Sequence, residues 1–170
     1  LAWRQTAPGF EIAELTVLTD REEVDRIDLV RIDPRLYRFS VHTGDGSYRT
    51  IRGWEKRLPK AVVIVNGSYF GKRNEPATPI ISDGAGLGPR DYDARAGAFV
   101  TDGERTAVVD LTAGDGWPVA FTGARDAMVS YPLLVGDDGQ SHVRVKSRWL
   151  ANRSFVAEDR DGRIVIGSTR

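Results

Sequence analysis

The segment Val62–Gly71, VVIVNGSYFG, places a polar amide directly after a run of β-branched apolar residues. An amide at the end of a buried strand is a common binding-site arrangement, and a following glycine lets a ligand approach the backbone. Asn66 and Gly67 fit that description, and Tyr69 and Phe70 add two aromatic rings. The plainer alternative is a hairpin corner, because Asn-Gly favours a two-residue turn between alternating strands. The residues before Asn66 do not alternate, and those after it lead into a long Gly-, Pro- and Asp-rich stretch rather than an obvious returning strand.

Three further segments carry groups of chemical interest. Thr78–Gly84, TPIISDG, reads either as a short strand and turn or as the wall of a cleft, with Asp83 and the Gly84 backbone near a ligand. Ser130–Gly139, SYPLLVGDDG, reads as a strand starting at Pro132, which cannot donate within a ladder, closed by an Asp138-Gly139 turn. Asn152–Gly167 reads as a hairpin with Arg153 and Ser154 at the head of its first strand. An arginine there is either an ordinary surface residue or a bidentate holder of an anionic substrate.

Other chemistries are excluded by what the chain lacks. It has no cysteine and only two histidines, His42 and His142, so thiolate catalysis, disulfides and a His-rich metal site cannot be built. The acidic spacing of a calcium loop is absent, and the glycines of Gly84–Gly88 lack the strand and helix that a phosphate loop needs. No cofactor or metal is expected. The 24 basic and 24 acidic residues cancel, which argues against a dominant nucleic-acid surface. All but four of the basic residues are arginine, a matter of either codon usage or anion recognition. No apolar run approaches the ~20 residues needed to span a bilayer.

The elements that must position these groups are short strands separated by turn signals. The expected class is α+β: β-rich mixed sheets with few short helices, in one domain over residues 1–170. Strands are expected at Glu11–Leu18, Tyr37–Val41, Ala96–Thr101, Ala107–Leu111, Val119–Thr122, Leu133–Val135, Phe155–Glu158 and Arg163–Ile166. Ile27–Asp33 reads as a strand closed by Pro34, against a rival helix over Asp20–Arg31. Thr50–Leu58 reads as a short helix before Pro59. Ala61–Val65, wholly apolar, reads as a central strand covered on both faces. Turns are expected at Thr43–Gly46, Asp102–Glu104 and Asp161-Gly162. The chain opens at Leu1 without an initiator Met, so a preceding segment is expected. It stops four residues after an apolar strand, so an open edge and an unfinished sheet are expected.

Taken in order, these segments resemble the phosphodiester glycosidase family, in an uncovering-enzyme-like domain. The resemblance runs through Trp3 and Pro8-Gly9, then Val30–Pro34, Asn66–Phe70, Pro79 with Gly84, Tyr131–Val135, and Arg153-Ser154 with Asp161-Gly162. Ser68 departs mildly from the usual small residue of the Asn-Gly motif, and Tyr131 replaces a glycine. The resemblance implies hydrolysis of a sugar-1-phosphodiester, in an exported bacterial protein acting on a glycan or glycoconjugate. It implies Arg153 for the phosphate and Asn66 for the sugar, with Gly67, Tyr69, Phe70, Gly84, Pro132 and Ser154 around the substrate. Family members continue into a helix and a Leu-Asp-Gly-Gly motif that supplies an acid. The domain is therefore expected to be truncated at its C-terminus or completed by a second polypeptide segment, with Asp83 as the local acidic candidate. The alternatives are a non-catalytic glycan-binding or envelope polysaccharide assembly module, or a purely structural β-domain.

Overall fold

A computed structural model describes residues 1–44, 46–112, 121–143 and 151–169. It is β-rich: ten strands form two sheets, with one short helix among the described residues. Every strand pair whose register is described is antiparallel, where mixed sheets were expected. The chain divides into two compact units: residues 1–39, 103–108 and 144–170, and residues 40–102 and 109–143.

The first sheet contains β1 (Arg4–Ala7), β2 (Phe10–Thr19), β3 (Glu22–Ile32), β9 (Ser154–Glu158) and β10 (Ile164–Thr169), in the order β1-β2-β3-β10-β9. Strand wins over helix through the whole of Glu22–Ile32. Asp20 and Arg21, with φ angles of 51° and 71°, make a two-residue hairpin turn without a glycine, which returns the chain to pair with β2. β3 then ends at Asp33-Pro34, as expected. Leu29, Ile32 and Ile164 are buried, and Ile32 and Ile164 are cross-strand partners. Glu11 stands opposite Arg31 and accepts from its Nε at 2.8 Å and from Arg163 Nη1 at 2.8 Å. The Arg31 guanidinium beside it holds the Glu11 carboxyl below the usual range. The Asp161-Gly162 hairpin joins β9 to β10, and β10 continues three residues past the expected end. β10 is paired on both sides, so the open edge expected at the last strand is not there.

The second sheet contains β4 (Ile80–Ser82), β5 (Ala85–Leu87), β6 (Gly97–Thr101), β7 (Thr106–Asp110) and β8 (Asp126–Ser130), in the order β5-β4-β8-β6-β7. Its core gathers Ile81, Ala96, Ala98, Leu111, Phe121, Ala127 and Val129, with Tyr92 and Tyr131 packed against it. The helix α1 (Ile51–Arg57) confirms the short helix before Pro59. Thr50 caps its start by accepting from Gly53 N–H at 3.2 Å, and Lys56 and Arg57 suit its C-terminal end.

Several expectations fail here. Ala61–Val65 is not the central strand. Its backbone pairs with no described strand, and Val62 is 65% exposed. The central place belongs to β8, which brings only two strongly apolar positions, Ala127 and Val129, to the core and so looked unremarkable in sequence. Tyr37–Val41 is not a strand either. Val41 N–H donates to the Asp126 carboxylate at 3.2 Å, and its carbonyl accepts from Ser82 Oγ at 2.7 Å, so side chains replace the ladder. Leu133–Val135 is not a strand, because only Leu133 is buried while Leu134 and Val135 face outward. Pro132 therefore follows β8 instead of opening a strand. Of the expected strand Val119–Thr122, Val119 and Ala120 lie outside the described residues, as does Asp45 of the Thr43–Gly46 turn. Phe121 and Thr122 form a turn.

Candidate functional site

Most of the candidate residues lie in the second unit along β8, the Asn-Gly motif beside Met128 and Val129 and the Asp83-Gly84 turn at Arg125 and Asp126. The Asn-Gly motif is sewn to that strand by side chains. Ser68 Oγ donates to the Val129 carbonyl. Its single proton is thereby used, so the buried Thr78 hydroxyl donates to Ser68 Oγ. Tyr69 donates through its hydroxyl to the Tyr131 carbonyl at 2.6 Å. The two rings lie tilted against one another with centroids 4.6 Å apart. Gly67 lies against Met128, where an added Cβ would sit 2.8 Å from Sδ. The missing side chain of Gly67 thus serves close packing on β8. Ser68, the mild departure from the family motif, is the residue that ties the motif down.

After the motif the chain does return. Phe70 bridges antiparallel to Pro76, Gly71 N–H donates to the Glu75 carbonyl at 2.8 Å, and Ala77 N–H donates to the Tyr69 carbonyl at 2.9 Å. The hairpin alternative for this region is thus partly realised, but its corner is Lys72–Asn74 rather than Asn66-Gly67, with Asn74 in the left-handed region at φ 61°. The long Gly-, Pro- and Asp-rich stretch that follows the motif is broken up by this turn and by the β4–β5 hairpin. Asn66 is exposed at the end of the extended run, Tyr69 is 44% exposed and Phe70 is 69% exposed.

Asp83 and Gly84 form the corner of the β4–β5 hairpin, both with positive φ, at 49° and 79°. This realises the strand-and-turn reading of the segment. The Asp83 carboxylate accepts from Arg125 Nη2 at 2.8 Å, and Gly84 N–H donates to the Arg125 carbonyl at 2.7 Å. Beneath the turn sits Asp126, a residue only 4% exposed, whose Oδ1 accepts from the N–H groups of both Asp83, at 3.1 Å, and Val41, at 3.2 Å. Sequence reading missed Asp126, Arg125 and Thr78. The available signal was an Arg-Asp pair immediately before the alternating Ala127 and Val129.

Pro132 is exposed just beyond β8, next in the chain to Tyr131, whose ring packs on Tyr69. Arg153 and Ser154 lie in the first unit, at the start of β9. Arg153 is anchored by its backbone: its N–H donates to Thr169 Oγ1 at 2.8 Å, and its carbonyl accepts from Thr169 N–H at 2.9 Å. Its guanidinium makes no ion pair with a described residue. The candidates thus fall into Asn66–Phe70 with Tyr131-Pro132 after β8, a turn at Asp83-Gly84 held at the start of β8, and Arg153-Ser154 in the first unit.

A cavity of about 200 Å³ in the first unit is lined by Gln5, Gly9, Glu11, Asp33, Leu36 and Arg163, and by none of these candidates. Asp33 there is held by Arg35, whose guanidinium pulls its carboxyl down to about 2. Among the described residues no group of acidic, His or Cys side chains could hold a metal ion, and no helix is long and apolar enough to cross a membrane.

A family model described as phosphodiester glycosidase matches residues 59–170, a span that runs from Pro59 through the Asn-Gly motif, the Asp83 turn, β8 and the Arg153 hairpin. Neither the curated proteins nor the solved structures yield a match. With about two thirds of its length covered by that model, the chain belongs to the phosphodiester glycosidase family.

Proposed function

We propose that this protein hydrolyses the bond between a sugar and the phosphate of a sugar-1-phosphodiester, in an exported bacterial glycan or glycoconjugate. The observation that carries this reading is the family match across every segment that holds a candidate residue. In the proposed reaction the C1–O bond breaks, the phosphate leaves as a monoester with its bridging oxygen, and water supplies the hydroxyl at C1. The sugar passes through an oxocarbenium-like state. Because a phosphate monoester leaves readily, the protein's task is to orient the sugar, hold the anion and stabilise the cation.

Arg153 is proposed to hold the phosphate, with Ser154 beside it. Its guanidinium is uncommitted among the described residues, as such a role requires. Asn66 is proposed to hold sugar hydroxyls or an acetamide, with Gly67, Tyr69, Phe70, Gly84 and Pro132 shaping the surface. The Asp83 carboxylate faces Arg125 Nη2 at 2.8 Å in an exposed pair, so recruiting it means opening that pair. The acid is proposed to be that of the Leu-Asp-Gly-Gly motif which the family resemblance implies, with Asp83 as the local candidate.

The exposed rings at Tyr69 and Phe70 also suit the second reading, a glycan-binding module that does not turn over. An assay on the complete protein separates the two. Sugar-1-phosphodiesters should release free sugar while aryl glycosides without phosphate do not. Binding without release supports the module. Arg153→Ala should lower turnover by well over tenfold, since a charge-assisted contact contributes roughly 1.5–3 kcal/mol. Near-normal turnover would remove Arg153 from the site.

A further inference from the structure

The chain is neutral overall, yet its charge is segregated. Residues 49–60 carry Arg49, Arg52, Lys56, Arg57 and Lys60 against a single acid, Glu55. The helix α1 at the centre of this segment has no buried residue, so packing does not explain its presence on the surface. Arg52, Lys56, Arg57 and Lys60 are exposed and make no ion pair with a described residue. Trp54 stands among them, half-buried, with the Arg49 and Arg57 guanidinium carbons 5.9 and 6.0 Å from its ring and the His42 ring 6.3 Å away. The exposed cations of Arg52, Lys56, Arg57 and Lys60, gathered about an aromatic ring, attract an anionic chain.

Two links tie this surface to the Asn-Gly motif within the same unit. Asn74 Nδ2 donates to the Gly46 carbonyl at 3.4 Å, which brings the Lys72-Arg73 turn beside the loop that leads to Arg49. Pro59 is also only seven residues before Asn66, so the helix end and the motif are at most ~25 Å apart. A short run of repeating units can cover that distance.

The geometry points to α1 and its flanks as a docking surface for a polymeric, phosphodiester-linked glycan, with the cations of Arg52, Lys56, Arg57 and Lys60 engaging successive phosphates. This inference rests on the phosphodiester glycosidase reading and specifies its substrate as a polyanion rather than a single sugar phosphodiester. A neutral glycan would gain nothing from these cations.

The test uses the complete protein and a poly(glycerol phosphate) chain as probe. Binding is measured over a range of salt concentrations for three forms: wild type, Arg52→Gln/Lys56→Gln/Arg57→Gln/Lys60→Gln, and a control of equal net charge, Arg4→Gln/Arg21→Gln/Arg38→Gln/Arg160→Gln. Because α1 buries no residue, the first variant should keep the wild-type circular dichroism spectrum. It should bind at least roughly tenfold more weakly than the control. If all four cations touch phosphate, its slope of log K against log salt should be shallower by about three. Equal affinity of the two variants overturns the proposal, and so does the absence of polymer binding by wild type. Tighter binding to phosphatidylglycerol vesicles or to a single-stranded oligonucleotide of equal charge overturns it in favour of a membrane or nucleic-acid surface. Turnover of a monomeric sugar-1-phosphodiester, measured alongside, reads the active site alone. Its loss with polymer binding intact would count against the catalytic reading and not against the docking surface.

Discussion

Asp126→Ala should loosen the turn that presents Asp83 and Gly84. The Asp126 carboxylate is buried, and one of its oxygens accepts from two backbone N–H groups, Asp83 at 3.1 Å and Val41 at 3.2 Å. Both donors come from segments without a ladder at those positions, so removing the carboxylate leaves them short of a partner. Hydrogen bonds to a charged acceptor contribute roughly 1.5–3 kcal/mol each. These two are long, and the low end applies, which gives a loss of about 3 kcal/mol. For a chain of this length about 2–4 °C is lost per kcal/mol, so the melting temperature should fall by about 6–12 °C. Asp126→Asn is the informative control. Both bonds end on Oδ1, so an amide oxygen in its place keeps them and loses only charge assistance and the 3.8 Å approach of Arg125 Nε. That variant should cost about 1 kcal/mol. Thermal melts give the global loss, and hydrogen exchange at the Val41 and Asp83 amides gives the local one. Were Asp126→Ala to melt like wild type with both amides still protected, the carboxylate would not be what holds the turn.

Gly167 faces the Phe155 ring across the β9–β10 pair, and an added Cβ would overlap that ring and approach Leu29. Gly167→Ala should therefore destabilise by roughly 1–3 kcal/mol, and Phe155→Leu should relieve part of that cost. Strictly additive losses in urea unfolding would show that the ring is not the obstacle. In acid, Asp33 and Asp93 are each held at about 2 by the guanidinium two residues on, Arg35 and Arg95. A carboxyl lowered in the folded state stabilises above its unfolded pKa, roughly 3.9, and that contribution is lost as pH falls through about 2. Stability should thus decline between pH 4 and 2, and Arg35→Gln with Arg95→Gln should flatten that decline while lowering stability at neutral pH. An unchanged pH profile in the double variant would contradict the assignment.

The β hairpins were legible because their signals are local. Asp161-Gly162 and Asp102–Glu104 mark turns through residue type alone, and Thr50 and Pro59 bracket α1. Glu22–Ile32 was ambiguous because Val24, Ile27 and Val30 satisfy a helical spacing. Pairing with β2 and β10 decided it for strand, and such pairing is not a local property. The reverse error occurred at Ala61–Val65. Uniform hydrophobicity suggested a core strand, while the true central strand needs only Ala127 and Val129 inward. The candidate site shows the same division. Asn66, Tyr69 and Phe70 stood out by type, but Ser68, Thr78 and Tyr131 hold that cluster, and Asp126 holds the Asp83 turn, through contacts spanning ten to eighty-five residues, and no spacing rule reveals those.

The proposed activity turns on which bond breaks. A glycosidase splits C1–O, whereas a phosphodiesterase splits P–O, and the two give the same products. Hydrolysis of a sugar-1-phosphodiester by the complete protein in heavy-oxygen water, followed by mass spectrometry of the released phosphate monoester, separates them. Cleavage of C1–O gives a phosphate monoester free of the label, with the label entering at the sugar. Label in the phosphate, or no hydrolysis of any sugar-1-phosphodiester, would contradict that activity.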